Sequence, residues 1–252
     1  MKRLIFTSAI IVLSIILFIS CIIIFLTVSV PSPIDLDNYP KQIDYGTLTL
    51  EEQELFNEII ESAESEQDVV WCDERFTGWD TWKKLSQHLQ IYYGTDGYGK
   101  FIVPFDELYV LQLPYFYEAI ENKVIVEARV DEALLNMRDG SDRYKLWQIS
   151  KYLANRITYT DGTRDAISGL NGNGVCATYA ILFYKMATRL GIQCYYCSGY
   201  AGGGFHAWNM VVLDGEEYFY DVTWFDNVVH DYRYLHSPTA WGREYTLNGV
   251  KP

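Results

Sequence analysis

The chain begins with a long apolar run. No charged residue lies between Leu4 and Ile34, and most of this stretch is continuously apolar. Such a run is long enough to cross a bilayer. Because two basic residues precede it at positions 2 and 3, the positive-inside rule predicts a single-pass cell-membrane anchor over residues 1–30. The N-terminus is then cytoplasmic and the C-terminal domain extracytoplasmic.

Two other interpretations of the run stay open. A cleaved signal peptide normally has a shorter apolar stretch followed by a small-residue cleavage motif, and no Ala-x-Ala sequence occurs here. A lipoprotein would be acylated at Cys21, but apolar sequence continues from Ile22 to Leu26, where a polar tether is expected. The uncleaved anchor is therefore favoured.

The pattern changes after residue 30. Prolines and polar residues predict a short stalk over residues 31–46. Thr49 and Glu52 then have the spacing of a capping box, and apolar residues follow at helical spacing. A helix is predicted from about Leu50 to Glu66.

Residues 47–135 are predicted to form a small accessory region of mixed helix and strand. The segments 101–113 and 123–130 are rich in β-branched and aromatic residues, which is typical of strands. A group of aromatic residues in this region would either bind carbohydrate or peptide or pack in the core, and packing is favoured because large aromatic side chains are usually buried. The group consists of Trp71, Trp79, Trp82, Tyr92 and Tyr93.

Residues 136–252 form the second predicted region. Apolar positions recur at helical spacing over residues 142–157 and predict an amphipathic helix. Three glycines within residues 167–174 predict a loop that leads to Cys176.

Cys176 is expected in the first turn of the next helix. Asn173 is the predicted N-cap, and the helix is expected to run to Leu190 and stop at Gly191. The dipole and unbonded amides of a helix N-terminus favour a thiolate, and the same amides are able to stabilise an oxyanion. Taken alone, Cys176 also fits a small apolar residue that begins a core helix. The residues downstream decide between the two interpretations.

A β-hairpin is predicted downstream. Two strand-like runs, 207–213 and 216–222, are joined by the dipeptide Asp214-Gly215, which is typical of a type I′ turn. A two-residue turn sets the pairing of the strands. His206 and Asp221 then lie on one face as diagonal neighbours, within hydrogen-bonding reach.

Cys176, His206 and Asp221 together fit one kind of chemistry. A thiolate attacks a carbonyl, an imidazole moves the proton, and a carboxylate holds the tautomer of the imidazole. The three residues lie in the sequences Gly-Val-Cys-Ala-Thr-Tyr-Ala, His-Ala-Trp-Asn and Tyr-Asp-Val-Thr-Trp, at 174–180, 206–209 and 220–224. In this order the three sequences resemble the motifs of the transglutaminase-like superfamily, and the chain resembles its bacterial, membrane-anchored type.

The resemblance covers about residues 142–238 and implies a papain-like α+β fold, in which a Cys-bearing helix packs on an antiparallel sheet that carries the His and Asp. It implies that Cys176 is the nucleophile, His206 the base and Asp221 the orienting acid. Trp208 and Gly174 are further candidates for the oxyanion or substrate site.

The resemblance also implies an activity. The expected protein is an extracytoplasmic thiol enzyme that acts on amide bonds through a thioester, by transglutaminase-like acyl transfer or by cysteine-peptidase-like hydrolysis. Its substrate is then a protein or peptide, including cell-wall-associated ones. The alternatives are a non-catalytic module that binds peptide or cell-wall polymer on the same fold, and a purely structural domain. The intact Cys, His and Asp argue against the binding module, and only the uninformative N-terminal half of the chain favours a structural domain.

Charge narrows the range of partners. The chain has 20 basic and 33 acidic side chains and a formal net charge of −13. Such a chain repels nucleic acid and anionic lipid head groups, so no nucleic-acid partner is expected. Contact with the membrane is expected through the N-terminal helix only.

The five cysteines do not form a disulfide scaffold. With Cys21 in the membrane and Cys176 kept as a thiol, at most one pair remains possible, between Cys72 and either Cys194 or Cys197. The last two lie three apart in a predicted strand and point to opposite faces, so they cannot bridge each other. Because no second Cys/His pair has zinc-ligand spacing, no metal or other cofactor is expected.

Overall fold

The structure is a computed structural model and describes residues 31–38, 48–65, 69–72, 78–94, 101–105, 108–112, 116–160, 162, 164–227 and 246–247. The helices in these ranges are α1 (Leu50–Glu64), α2 (Trp79–Tyr93), α3 (Phe116–Leu135), α4 (Asp142–Arg156), α5 (Ala166–Leu170), α6 (Cys176–Arg189) and α7 (Val222–Asn227). The strands are β1 (Val69–Cys72), β2 (Phe101–Phe105), β3 (Leu108–Gln112), β4 (Thr158–Tyr159), β5 (Asn173–Gly174), β6 (Cys194–Ala201), β7 (Gly204–Leu213), β8 (Glu216–Tyr220) and β9 (Thr246–Leu247).

The capping box predicted for α1 is confirmed. The Glu52 N–H donates to the Thr49 hydroxyl oxygen at 3.2 Å, and the Thr49 N–H donates to the Glu52 carboxylate at 2.8 Å. Lys84 of α2 also bonds this carboxylate, at 3.1 Å, which ties the two helices together. The start of α1 is therefore held both locally and by a tertiary contact.

A three-stranded antiparallel sheet with the order β1-β3-β2 accompanies α1 and α2. Trp82 and Tyr93 of α2 are buried in the core that this region forms, as the packing interpretation of the aromatic group predicts. Tyr92 is partly buried against the same core. The side chains of Trp71 and Trp79 lie outside what the structure describes.

The prediction of a strand over residues 123–130 is wrong, because these residues form the middle of α3. Val126, Val130 and Leu134 recur at four-residue spacing and are buried in a core shared with α6. Val124 and Ile125, which lie between them on the chain, are exposed. β-Branched composition is only a weak preference, and burial along one helical face overrides it here.

The prediction of a loop over residues 167–174 is also wrong in its first half, where α5 forms with Asp165 as its N-cap. A Cβ on Gly169 would lie 2.5 Å from Cγ2 of Thr178. Glycine at this position therefore allows α5 to approach α6 closely. It does not mark an irregular segment.

The second sheet has the order β8-β7-β6-β9, with every neighbouring pair antiparallel. The core beside this sheet is formed by side chains of α3, α4, α6, α7 and the central strands. The helix predicted over residues 142–157 is confirmed as α4, which begins after its N-cap Ser141. The fold of this region is thus a mixed α+β arrangement with a buried central helix, α6.

The predicted membrane anchor over residues 1–30 lies outside the described ranges. Among the helices that the structure does describe, none has the length and apolar character to cross a bilayer. In the predicted stalk, Ile34 and Leu36 are buried, and the Ile34 N–H donates to the Met137 carbonyl at 3.2 Å. This part of the stalk therefore packs on the folded region, while the predicted division into domains stays a prediction.

Candidate active site

Cys176 is the first residue of α6. The predicted N-cap is wrong, because Val175 is the N-cap and Asn173 pairs with Thr158 in a short parallel ladder between β4 and β5. This ladder keeps the chain extended until it enters the helix. The thiol therefore lies at the first helical position, closest to the unbonded amides and the positive end of the helix dipole.

Gly174 lies in the same ladder, and its carbonyl accepts the Thr160 N–H at 3.1 Å. A Cβ on Gly174 would lie 2.5 Å from Cγ2 of Thr178, a buried residue of α6. Only glycine lets the chain pass this close to the helix. The packing explains the residue type, and its predicted part in an oxyanion or substrate site stays a prediction.

Helix α6 packs on β7 through small alanine side chains and through the side-chain amide of one asparagine. Ala177 and Ala180 pack on Ala207 of β7, and the absence of longer side chains allows helix and strand to approach closely. The buried Asn209 side chain donates from Nδ2 to the Ala180 carbonyl at 3.0 Å. The His-Ala-Trp-Asn sequence thus fixes the Cys-bearing helix to the strand that bears His206.

The predicted turn between β7 and β8 is confirmed. Asp214 and Gly215 have φ of 56° and 82°, as a type I′ turn requires, and Leu213 pairs with Glu216 in the predicted register. The second strand is shorter than predicted, because β8 ends at Tyr220 and Val222 begins α7.

Asp221 lies between β8 and α7 and caps the helix. Its carboxylate oxygen Oδ1 accepts the Trp224 N–H at 3.1 Å, and its carbonyl accepts the Phe225 N–H at 3.0 Å. An N-capping carboxylate is oriented by such bonds. The position of Asp221 is therefore set by its cap on α7 and by the register of β7 with β8, although Asp221 itself is not paired in that ladder.

The structure brings His206 and Asp221 together. His206 Nε2 lies 2.7 Å from Asp221 Oδ2, and both residues are buried. Burial alone would lower the pKa of His206, but the hydrogen bonds and charges of Asp221 and Cys176 outweigh it and raise the pKa to about 9. The ring therefore holds its proton through neutral pH.

The Cys176 thiol hydrogen-bonds the same ring. Because Asp221 occupies Nε2, the nitrogen left for the sulfur is Nδ1. Burial opposes the thiolate, but the hydrogen bond and positive charge of His206 lower the pKa of Cys176 below its ordinary value. The backbone N–H groups of Ala207 and Ala177 add to this effect. The arrangement favours a thiolate–imidazolium pair.

Two tryptophans lie near the imidazole, and the structure separates them. The Trp224 ring stacks on His206, with 4.7 Å between centroids and 11° between planes. Trp208 lies farther from His206, at 6.1 Å, and is buried in a cluster with Cys197 and Met210. Its predicted contact with an oxyanion or substrate stays a prediction, and its burial favours packing. Sequence reasoning assigned no role to Trp224, although this residue ends the third motif.

Sequence reasoning also missed a bond between the two helices of the site. The Tyr179 hydroxyl of α6 donates to the Asp226 carboxylate of α7 at 2.6 Å. Burial, followed by this bond, raises the pKa of Tyr179. The sequence offered one signal for this bond. Tyr179 lies shortly after Cys176, and Asp226 lies shortly after Asp221.

The remaining cysteines of the described ranges differ from Cys176. Cys72, Cys194 and Cys197 are buried thiols that form no disulfide. Cys194 and Cys197 lie in separate clusters, as expected for opposite faces of a strand, and burial raises the pKa of Cys197 to about 12. Across the described ranges, no group of three or more His, Cys, Asp or Glu side chains is arranged to hold a metal ion.

Comparison with known proteins agrees with the motifs. Residues 133–226 match the model of the transglutaminase-like superfamily. Over this segment the chain is similar to the core domain of a superfamily whose members are typically cysteine acyltransferases or peptidases. The match supports a thiol enzyme.

Two solved structures are similar to parts of the chain. One is a candidate cysteine protease from Cytophaga hutchinsonii, with 21% identity, a TM-score of 0.33, and coverage of 40% of this chain and 37% of that protein. The other is described as a TGase, with 18% identity, a TM-score of 0.36, and coverage of 56% of this chain and 47% of that protein. The chain thus spans less than half the length of either protein. No curated protein matches the chain.

Proposed function

We propose that the protein is a thiol enzyme that opens amide bonds of protein or peptide substrates through a triad of Cys176, His206 and Asp221. One observation supports this proposal most. The thiol and the carboxylate bond one buried imidazole, and the pKa of the thiol is lowered while that of the ring is raised. A cysteine that merely filled space in a core would have its pKa raised, as Cys197 does.

The first half of the reaction forms a thioester. The Cys176 thiolate attacks the amide carbonyl carbon, and the carbonyl electron pair moves to oxygen. Amides at the start of α6 are suited to stabilising this oxyanion. As the C–N bond breaks, the His206 imidazolium gives its proton to the departing nitrogen, which leaves as ammonia or an amine.

The second half releases the acyl group. A water molecule or an amine attacks the thioester while neutral His206 accepts its proton. The C–S bond then breaks, and the thiolate and imidazolium are regenerated. Throughout both halves, Asp221 holds the ring so that Nδ1 faces the sulfur. Attack by an amine gives transfer and attack by water gives hydrolysis, so the same residues serve both reactions.

The location of the enzyme is also part of the proposal. A charge-free stretch from Leu4 to Ile34, directly preceded by Lys2 and Arg3, supports an uncleaved anchor and an extracytoplasmic catalytic domain. The test is protease treatment of intact cells that express the full chain with a C-terminal tag. Digestion of the tag without cell lysis is expected. Protection of the tag until lysis contradicts this location.

Alkylation tests the thiolate directly. The full chain is treated with limiting iodoacetamide at neutral pH, and the labelled cysteines are identified by peptide mass spectrometry. Cys176 is expected to react first, and the rapid label is expected to disappear in Cys176→Ser. Cys197→Ser is the matched control, because it removes a buried thiol of high pKa and leaves the rapid label in place.

Two results would count against the proposal. If Cys176 in the folded protein reacts no faster than in urea-denatured protein, the thiol is not activated. If Cys176 is activated but no amide substrate is turned over, while peptide or cell-wall polymer still binds Cys176→Ala, the protein is a binding module and the enzyme proposal is wrong.

A further inference from the structure

Two exposed aromatic side chains lie next to the turn that joins β6 and β7. Tyr200 pairs with Phe205 across the strands, and their ring centroids are 4.2 Å apart. Phe205 is 72% exposed and Tyr200 is 46% exposed. Adjacent large aromatic rings in contact with water form an apolar patch, and such patches commonly bind a ligand.

The direction of the strand places this pair beside the thiol. Ala207 of β7 packs on Ala177 of α6, and two residues farther along the strand Asn209 bonds Ala180. Helix α6 and strand β7 therefore run in the same direction where they are in contact. Phe205 lies on the same face of β7 as Ala207. It is two residues before Ala207, about 7 Å back along the strand, and this displacement takes it past the N-terminus of α6.

The same residues connect the patch to the reacting atoms. Phe205 is followed directly by His206, whose ring bonds the Cys176 thiol. The next backbone N–H, that of Ala207, also bonds the Cys176 sulfur. A peptide held at the sulfur therefore has an apolar wall on the side that α6 leaves uncovered.

Resting on the proposed thiol chemistry, we propose that Tyr200 and Phe205 bind an apolar side chain of the peptide substrate, next to the residue whose amide reacts at Cys176. The pair then determines specificity without taking part in proton transfer. Substrates with an aliphatic or aromatic residue near the reacting amide are favoured, because that side chain leaves water as it packs on the rings.

The test uses matched peptides. Each peptide contains one glutamine, and a leucine or a serine is placed in turn at each of the two positions before it and the two positions after it. Mass spectrometry follows deamidation, amine incorporation and cleavage. Wild-type protein is expected to prefer one leucine peptide by about tenfold in kcat/KM, mainly through KM. Phe205→Ser is expected to remove this preference, and Phe205→Leu to retain part of it. Val124→Ser removes an apolar side chain that is 64% exposed on α3, and serves as the matched control.

Different results separate this inference from the proposed function. Peptide affinity is measured in parallel for Cys176→Ser and for Cys176→Ser/Phe205→Ser. Absence of turnover by any peptide contradicts the enzyme proposal, while a leucine preference in affinity that Phe205→Ser removes still supports the aromatic site. The inference is wrong if wild-type protein shows no leucine preference, if the preference survives Phe205→Ser, or if Phe205→Ser only converts a dimer to a monomer.

Discussion

The indole of Trp224 lies nearly parallel to the imidazole of His206, with ring centroids 4.7 Å apart and planes inclined by 11°. The backbone N–H of the same tryptophan donates to Asp221 Oδ1, while Asp221 Oδ2 bonds His206 Nε2. Helix α7 and its capping residue therefore contact the imidazole twice. The Asp221 carboxylate bonds the edge of the imidazole ring, and the Trp224 ring lies against the face of the imidazole. A protonated imidazole gains from both contacts.

Trp224→Leu tests the stacking contact. Loss of the ring removes a favourable contact with the imidazolium, so the pKa of His206 is expected to fall from about 9. The measurement is the pH profile of Cys176 alkylation, together with an NMR titration of His206. Trp147→Leu is the control, because Trp147 is a partly buried tryptophan that stacks on Tyr144 elsewhere. An unchanged pKa of His206 in Trp224→Leu would show that the stack does not stabilise the charged ring.

Asp221→Asn separates charge from helix capping. Asparagine is as good an N-cap as aspartate, so α7 is expected to persist, but the tautomer and charge of His206 are no longer supported. The expected loss in kcat is on the order of 10³–10⁴-fold, measured on whichever peptide the wild type turns over best.

Asp165→Asn is the matched control for this substitution. Asp165 caps α5 with its carboxylate and is expected to tolerate the change with little effect. If Asp221→Asn is no more harmful than Asp165→Asn, Asp221 contributes only a cap.

The pH dependence of activity follows from the two opposite pKa shifts. A lowered pKa of Cys176 means that the thiolate persists below pH 9.0, the ordinary value, and a raised pKa of His206 means that the proton is kept until about pH 9. The plot of kcat/KM against pH is expected to be bell-shaped, rising with thiolate formation and falling as His206 deprotonates near pH 9.

His206→Ala provides the check on this profile. Without the imidazolium the thiolate loses its partner, so the alkylation midpoint of Cys176 is expected to move upward, toward the ordinary thiol value. An alkylation profile that is the same in His206→Ala and in wild-type protein would rule out coupling between the two residues.

Gly174→Ala tests the close contact with α6. The added Cβ would lie 2.5 Å from Thr178, and overpacking of this kind costs about 1–3 kcal/mol of unfolding free energy. Denaturant unfolding measures the loss, and the alkylation rate of Cys176 reports displacement of the helix start. Gly162→Ala is the control, because no atom of the described residues lies within 4 Å of a Cβ there. Equal stability of the two variants would contradict the close contact.

Local patterns predicted several elements correctly. The Thr49 and Glu52 cap, the period of α4, and the Asp214-Gly215 turn with its register all match the structure. Each of these features depends on residues close together in the chain, so local propensity and hydrogen bonding suffice. The turn was the most informative, because its register constrains which face His206 occupies.

Other elements depended on contacts between distant segments. Residues 123–130 have strand composition but form part of α3, because Val126 and Val130 reach a core shared with α6. Asn173 has the chemistry of an N-cap but pairs with Thr158 in a parallel ladder. The partner that decides each conformation lies elsewhere in the chain, so no local pattern reveals it.

For the candidate site, the sequence by itself determined which residue types were present and in which order, and the motif around Cys176 marked the start of a helix. Only the tertiary structure decided that Asp221 follows β8 and caps α7, that Trp224 covers His206, and that Tyr200 and Phe205 form an exposed pair. These relationships depend on how the helices, the sheet and the hairpin pack against one another. Packing brings together residues that are far apart in the chain, so local sequence patterns do not reveal it.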